Sequence, residues 1–141
     1  LTISIPSFSY AGENWRFEKD LEYCFIQSNP IKTDIPDGKT RGDYGMLVYR
    51  MHKSTDIIIQ ISAGFDYKSS DSVLVKIDDS EYNFFADEDT AWAKDDKKAI
   101  NAMKRGLELT TTGISTKGTK VIDTYSLKGF TVALNQLSND C

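Results

Sequence analysis

Alternating apolar and polar positions organise this chain, most clearly from Leu107 to Leu137, where LELTTTGISTKGTKVIDTYSLKGFTVALNQL holds two period-two runs joined by a Gly-containing turn. Such alternation puts every second side chain on one face of a strand and predicts half-buried sheet. Lys128-Gly129 breaks the second run, and Phe130, Ala133, Leu134 and Leu137 then fall at i, i+3, i+4 and i+7, the apolar stripe of a short C-terminal helix. The same alternation recurs upstream. Leu1, Ile3 and Ile5 alternate with Thr2 and Ser4 before Pro6, which predicts an edge strand. After a loop at 11–14, Trp15 and Phe17 share one parity and Glu22 to Gln27 is aromatic and β-branched, with Trp15 expected as a core anchor. Between Met46 and His52, Met46, Val48 and Arg50 oppose Leu47, Tyr49 and Met51. Ile57, Ile59 and Ile61 make an unbroken apolar face with Ile58, Gln60 and Ser62 behind, the best candidate for a central strand.

Ser72 to Ile77 and Glu81 to Phe85 alternate across Asp78-Asp79-Ser80, which reads as a hairpin. The cluster Asp87-Glu88-Asp89 lacks the ligand spacing and central Gly of a calcium loop and is expected as a solvated turn or a lead-in to a helix. That helix is predicted from about Asp95 to Arg105. Asp95 can cap it, Lys104 and Arg105 suit its negative end, and Gly106 stands where a left-handed residue is wanted. Its apolar stripe is Ala99, Ile100 and Met103, with Trp92 able to extend it. Asn29 to Gly45, with Pro30, Pro36, Gly38 and Gly42, reads as a long loop, of a length that is uncommon unless functional or mobile. The pattern therefore predicts a mainly β protein: an antiparallel β-sandwich of about eight strands, one helix near 95–105 and a short C-terminal helix. With no repeat and no linker, residues 1–141 read as a single domain.

Charge and composition narrow the partners. A net charge of -4, with 17 basic residues dispersed among 21 acidic ones, offers no field for a phosphate backbone, so no nucleic-acid partner is expected. No apolar run approaches the ~20 residues of a membrane span, and Leu1 opens into TISIP without a basic or long apolar leader, so no transmembrane segment is expected and the chain reads as cytosolic or already processed.

Chemistry-bearing motifs are few. His52, the one histidine, ends a predicted strand with no nucleophile motif beside it and reads as a strand-end side chain. One histidine and two distant cysteines make a four-ligand zinc site a poor reading. KTRG and STKGTK are too short and open for phosphate cradles, and nothing selects a carboxylate pair. No catalytic residue, cofactor site or metal site is expected. Cys24 and Cys141 leave two readings open: a disulfide, worth roughly 4 to 5 kcal/mol in the chain-entropy model, or a buried Cys24 beside a frayed Cys141.

Met103-Lys104-Arg105-Gly106 leading into a strand, and then Ser126-Leu127-Lys128-Gly129-Phe130-Thr131-Val132-Ala133-Leu134, give the chain a resemblance to the invasion-associated locus B family of alphaproteobacterial envelope proteins, whose closing phrase is Ser-Leu-x-Gly-Phe-x-x-Ala-Leu. Trp15 and Cys24-Phe25-Ile26-Gln27 add support upstream. The resemblance implies an exported β-sandwich of the periplasm or cell surface, a removed signal peptide, and an oxidising compartment in which a disulfide is favoured. It transfers no catalytic residue. Members of that family often carry further cysteines before the helix, where this chain has Phe85-Ala86-Asp87 and Thr90-Ala91-Trp92.

The expected role is that of a non-enzymatic interaction module whose partner is another envelope or surface protein, met through a sheet face or the Asn29 to Gly45 loop. Tyr44, Tyr49, Tyr67 and Tyr82 are candidate contacts, because tyrosine is enriched at interfaces, although each also suits ordinary strand packing. The alternative is a subunit of a homo-oligomeric or filamentous surface assembly, joined through edge strands at Leu1 to Ile5 or an intermolecular Cys141 bridge. A third reading is a glycan or small-molecule binder, or a hydrolase with carboxylate chemistry, which requires a concave pocket with two carboxyl groups facing each other.

Overall fold

The alternating runs become strands, and a computed structural model, which describes residues 2–5 and 14–141, pairs them in two antiparallel sheets. In chain order the strands are β1 (Arg16–Lys19), β2 (Tyr23–Ser28), β3 (Lys32–Asp34), β4 (Gly45–Met51), β5 (Ile58–Ser62), β6 (Val73–Ile77), β7 (Ser80–Tyr82), β8 (Phe84–Asp87), β9 (Thr90–Ala93), β10 (Glu108–Ile114) and β11 (Lys120–Ser126). Helix α1 (Asp96–Arg105) lies between β9 and β10, and α2 (Phe130–Asn139) follows β11. One sheet has the order β1-β2-β4-β5-β9-β8 and the other β3-β11-β10-β6-β7, and neither closes into a barrel.

The parity read from the sequence decides which side chains meet between the sheets. Cys24, Ile26, Met46, Val48, Ile59 and Ile61 of the first sheet join Val75, Ile77, Leu109 and Tyr125 of the second in one buried cluster. Both helices add their apolar faces to it: Ala99, Ile100 and Met103 from α1, and Phe130, Ala133, Leu134 and Leu137 from α2. Each of the larger of these side chains contributes about 1.5 to 3 kcal/mol when taken out of water, which is why a ten-residue helix with one apolar face stays docked. Trp15 anchors the entry to β1 as expected, edge-on to Phe130 at 5.1 Å between ring centres, with its indole N–H donating to the Ser126 carbonyl at 2.9 Å.

The opposite parity of the first sheet is also covered. Phe25, Leu47 and Tyr49 point outward, and Ile3 packs onto them. The Gln60 side chain, fully buried on that face, accepts from the Ile3 amide at 3.2 Å and donates to the Ile3 carbonyl at 2.8 Å. Residues 2–5 thus lie across the sheet and form no strand, a correction to the edge strand expected from Leu1 to Ile5. An amide side chain can satisfy a backbone donor and acceptor together, and here it takes the place of a strand neighbour. Leu1, Pro6 and most of the predicted 11–14 loop lie outside the described residues.

Eleven strands, among the described residues, exceed the eight or so expected, for three local reasons. The Asn29 to Gly45 loop contains β3, which pairs with β11 through Thr33 opposite Asp123. The predicted hairpin turns tightly at Asp78-Asp79, with Asp78 at φ 52, and its return breaks after Tyr82 so that β8 joins the other sheet. The acid cluster turns β8 into β9 instead of leading into a helix, which puts Trp92 on a strand beside Phe85. α1 begins one residue after its predicted cap, and Asp95 accepts from the Lys98 amide at 3.1 Å. Gly106 is extended rather than left-handed. A Cβ there would lie 2.8 Å from Ile77 Cγ2, so close packing is what requires glycine.

Candidate functional site

The feature that stands out chemically is a charge on the wrong face of a strand. β11 buries Val121 and Tyr125, and Asp123 between them shares their inward parity and is 4 % exposed. A carboxylate taken out of water needs a partner, and it receives one from the loop before β4. The Arg41 guanidinium donates to both Asp123 oxygens, Nη1 to Oδ1 at 3.0 Å and Nη2 to Oδ2 at 2.9 Å, and both side chains are 6 % exposed. Arg41 also donates twice to the Ala63 carbonyl, from Nε at 2.9 Å and Nη2 at 2.6 Å. The Thr33 hydroxyl of β3 also donates to Asp123 Oδ1 at 2.9 Å. A fork-to-fork pair with its other groups bonded is the geometry in which a buried pair comes closest to recovering its desolvation cost.

Two glycines allow the loops to meet there. Gly42 donates to the Gly64 carbonyl at 2.8 Å, and Gly64 has φ +77, where a Cβ would stand 2.5 Å from the Gly42 oxygen. This contact brings the Ala63 carbonyl against Arg41. Aromatic rings wall the cation: Tyr44 lies with its ring centre 3.7 Å from the guanidinium carbon, and Phe65 lies at 5.5 Å. Burial, reinforced by Asp123, pushes the Tyr67 and Tyr125 phenols well above their ordinary value, so both remain neutral through physiological pH.

Beside the pair opens a cleft of about 330 Å³ lined by Lys39, Arg41, Phe65, Ser115, Lys117 and Thr119 among others. Among the described residues, three lining ones are cationic and none is a carboxylate. Its far wall is the β10–β11 turn, held by the Ser115 hydroxyl, which accepts from the Lys117 amide at 3.3 Å and the Thr119 amide at 3.1 Å. Lys39 and Lys117 are exposed, while Arg41 is neutralised by Asp123. The cleft can hold an anionic or hydrogen-bonding group against preset donors.

The four candidate tyrosines do not form one patch. Tyr44 and Tyr67 stand beside Arg41, Tyr49 lies on the outer face of the first sheet, and Tyr82 packs half-buried against the inter-sheet core. Tyr49 and Tyr67 are 2 % and 7 % exposed, so protein rather than solvent surrounds them. The cysteines left open by the sequence are bonded to each other, with Cα atoms 5.7 Å apart and 117 residues between them in sequence. His52 follows β4, as a strand-end residue, its amide donating to the Glu22 carbonyl at 3.0 Å. Arg41 and Asp123 were not singled out from the sequence. The signal available was Asp123 itself, an acid at an inward position of an otherwise regular strand.

A family model described as invasion associated locus B (IalB) protein matches residues 18–138, a span running from β1 to α2. The chain belongs to the invasion associated locus B family. Curated proteins and solved structures gave no match. As an invasion associated locus B protein, the chain is of an invasion-associated, envelope kind, in a family not known as one of enzymes. The disulfide accords with an envelope or exported protein. Among the described residues, no helix is long and apolar enough to cross a membrane.

Proposed function

We propose that this chain is a non-enzymatic, exported binding module of the envelope, in the periplasm or at the surface, that grips an acidic segment of another envelope protein in the cleft beside Arg41. Residues 1–141 act in this reading as one unit. The observation that carries it is the buried Arg41–Asp123 pair, which ties the loop before β4 to both sheets and so presets the cleft. A preset site loses little conformational entropy on binding. On a chain of net charge -4, a cleft with exposed Lys39 and Lys117 and, among the described residues, no lining carboxylate is a local inversion of sign, suited to a carboxylate-bearing partner. The homo-oligomer alternative has less support. Its two joints are engaged within the chain, Cys141 with Cys24 and residues 2–5 with Gln60.

The test is amide chemical-shift mapping with a set of short acidic peptides and their neutral amide counterparts. Acidic peptides are expected to shift residues 38–41 and 115–119 selectively, and Lys39→Glu with Lys117→Glu to remove the response, with affinity falling as salt rises. Equal shifts from neutral peptides, or shifts confined to another surface, would sink the proposal.

A further inference from the structure

The disulfide has a third neighbour. A ring nitrogen of His52 and the sulfurs of Cys24 and Cys141 all lie within 4.8 Å of one another. Three elements converge to place them. Cys24 sits on β2, in a register that sets Tyr23 opposite Met51, so the chain leaving β4 delivers His52 beside it. Cys141 arrives from beyond α2, whose Leu134 and Leu137 are sunk in the core, and Arg50 Nη1 donates to the Ser138 carbonyl at 3.1 Å. That anchoring is independent of the sulfur–sulfur bond and holds the segment carrying Cys141 close to Cys24 when the bond opens. His52 Nε2 is itself buried and finds no hydrogen-bond partner among the described residues. A buried nitrogen left unpaired is costly, and a bound ligand would remove that cost.

We propose that the reduced chain binds one soft, thiophilic cation, Cu(I) or Zn(II), at Cys24, His52 and Cys141, and that the disulfide is the closed, metal-free form of this site. Two thiolates and an imidazole are the donor set that such cations select. Bond lengths of about 2.3 Å to sulfur and 2.0 Å to nitrogen put donors roughly 3.5 to 3.8 Å apart, a spacing the three groups reach by parting the sulfurs within the present cluster. Cys24 is fully buried, whereas His52 and Cys141 are partly exposed, which gives a reductant and a cation one side of approach. A dithiol reductant supplies two electrons and two protons, becoming a disulfide as each protein sulfur gains a proton. The cation then displaces both thiol protons to solvent.

The experiment uses the full chain, oxidised and after anaerobic reduction by a dithiol, titrated with Zn(II) and, in a second arm, Cu(I), each against a chromophoric chelator. The reduced chain is expected to take up one equivalent of at least one cation, with release of two protons, and the oxidised chain none. The arm that responds names the cation. His52→Ala, which retains the disulfide and whose fold is checked by circular dichroism, is expected to weaken binding more than ~10-fold, the range lost when even outer partners of a ligand are removed. Cys24→Ser with Cys141→Ser is expected to abolish it. Should reduction loosen the fold, one equivalent of cation is expected to restore the aromatic circular dichroism. The proposal is overturned if the reduced chain binds neither cation more tightly than the oxidised chain or the cysteine double variant. Unchanged affinity in His52→Ala, or no recovery by a loosened reduced chain, overturns it equally.

Discussion

The two ends of β4 are held by opposite kinds of chemistry. Before Gly45, Arg41 is tied across 82 residues to Asp123 by a buried ion pair, and beyond Met51 the neighbourhood of His52 is tied across 117 residues by the Cys24–Cys141 bond. The ion pair acts in the folded state, where each charge is tolerable only while the other is present. The disulfide acts chiefly on the unfolded chain, whose loop it closes. The first end should therefore respond to loss of one partner, and the second to reductant. The end closed by charge keeps a fixed, cationic cleft, whereas the end closed by sulfur contains a bond that can open.

The largest expected effect is at the sulfur end. Replacing Cys24 and Cys141 together by Ala should lower stability by about 4 to 5 kcal/mol in urea unfolding, while leaving the Arg41 to Asp123 geometry intact in the folded state. A loss near zero would mean that closing the 117-residue loop does not restrict the unfolded chain, and the contrast between the ends would fail. Next comes Asp123→Ala, which strands a buried guanidinium and is expected to cost about 3 to 5 kcal/mol. Joint replacement, Arg41→Met with Asp123→Leu, should cost distinctly less than the single change, because it removes both charges from the interior. A double variant as unstable as the sum of the singles would show that no coupling holds this end.

The smallest effect separates the ends by pH. Tyr67 and Tyr125 beside the ion pair have folded values raised above the ordinary tyrosine value of 10.0, by burial first and by Asp123 second. Below pH 10 both states keep the phenols neutral and nothing changes. Above it the unfolded chain ionises first, so stability falls as pH climbs toward the folded values, by ~1.4 kcal/mol per tyrosine at one pH unit above 10. Phenolate absorbance in alkaline urea titrations should show two tyrosines ionising only as the chain unfolds. Early ionisation of both in the folded protein would place them in water and open the charge end.

Much of the architecture was legible in the chain. Period-two runs gave the strands of both sheets, Asp95 and the apolar stripe gave α1, and Phe130 to Leu137 gave α2, because local periodicity decides which faces can be buried. Short elements were not legible. β3, of 3 residues, becomes a strand by pairing with β11, distant in sequence, and β8, of 4 residues, leaves the hairpin's sheet to pair with β9 in the other. Residues 2–5 carried a strand pattern yet lie across a sheet, because Gln60 offered their backbone a partner that pattern alone does not reveal.

The sequence by itself determined a mainly β sandwich with two helices, the buried parity of each long strand, and membership of the invasion associated locus B family, whose model matches residues 18–138. Only the tertiary structure decided which long-range partners meet. Arg41 with Asp123, Cys24 with Cys141 and His52 beside both sulfurs are brought together by the order of strands and the docking of α2. Periodicity specifies which way a side chain points, whereas a contact across 82 or 117 residues is specified by the free energy of the whole packed arrangement.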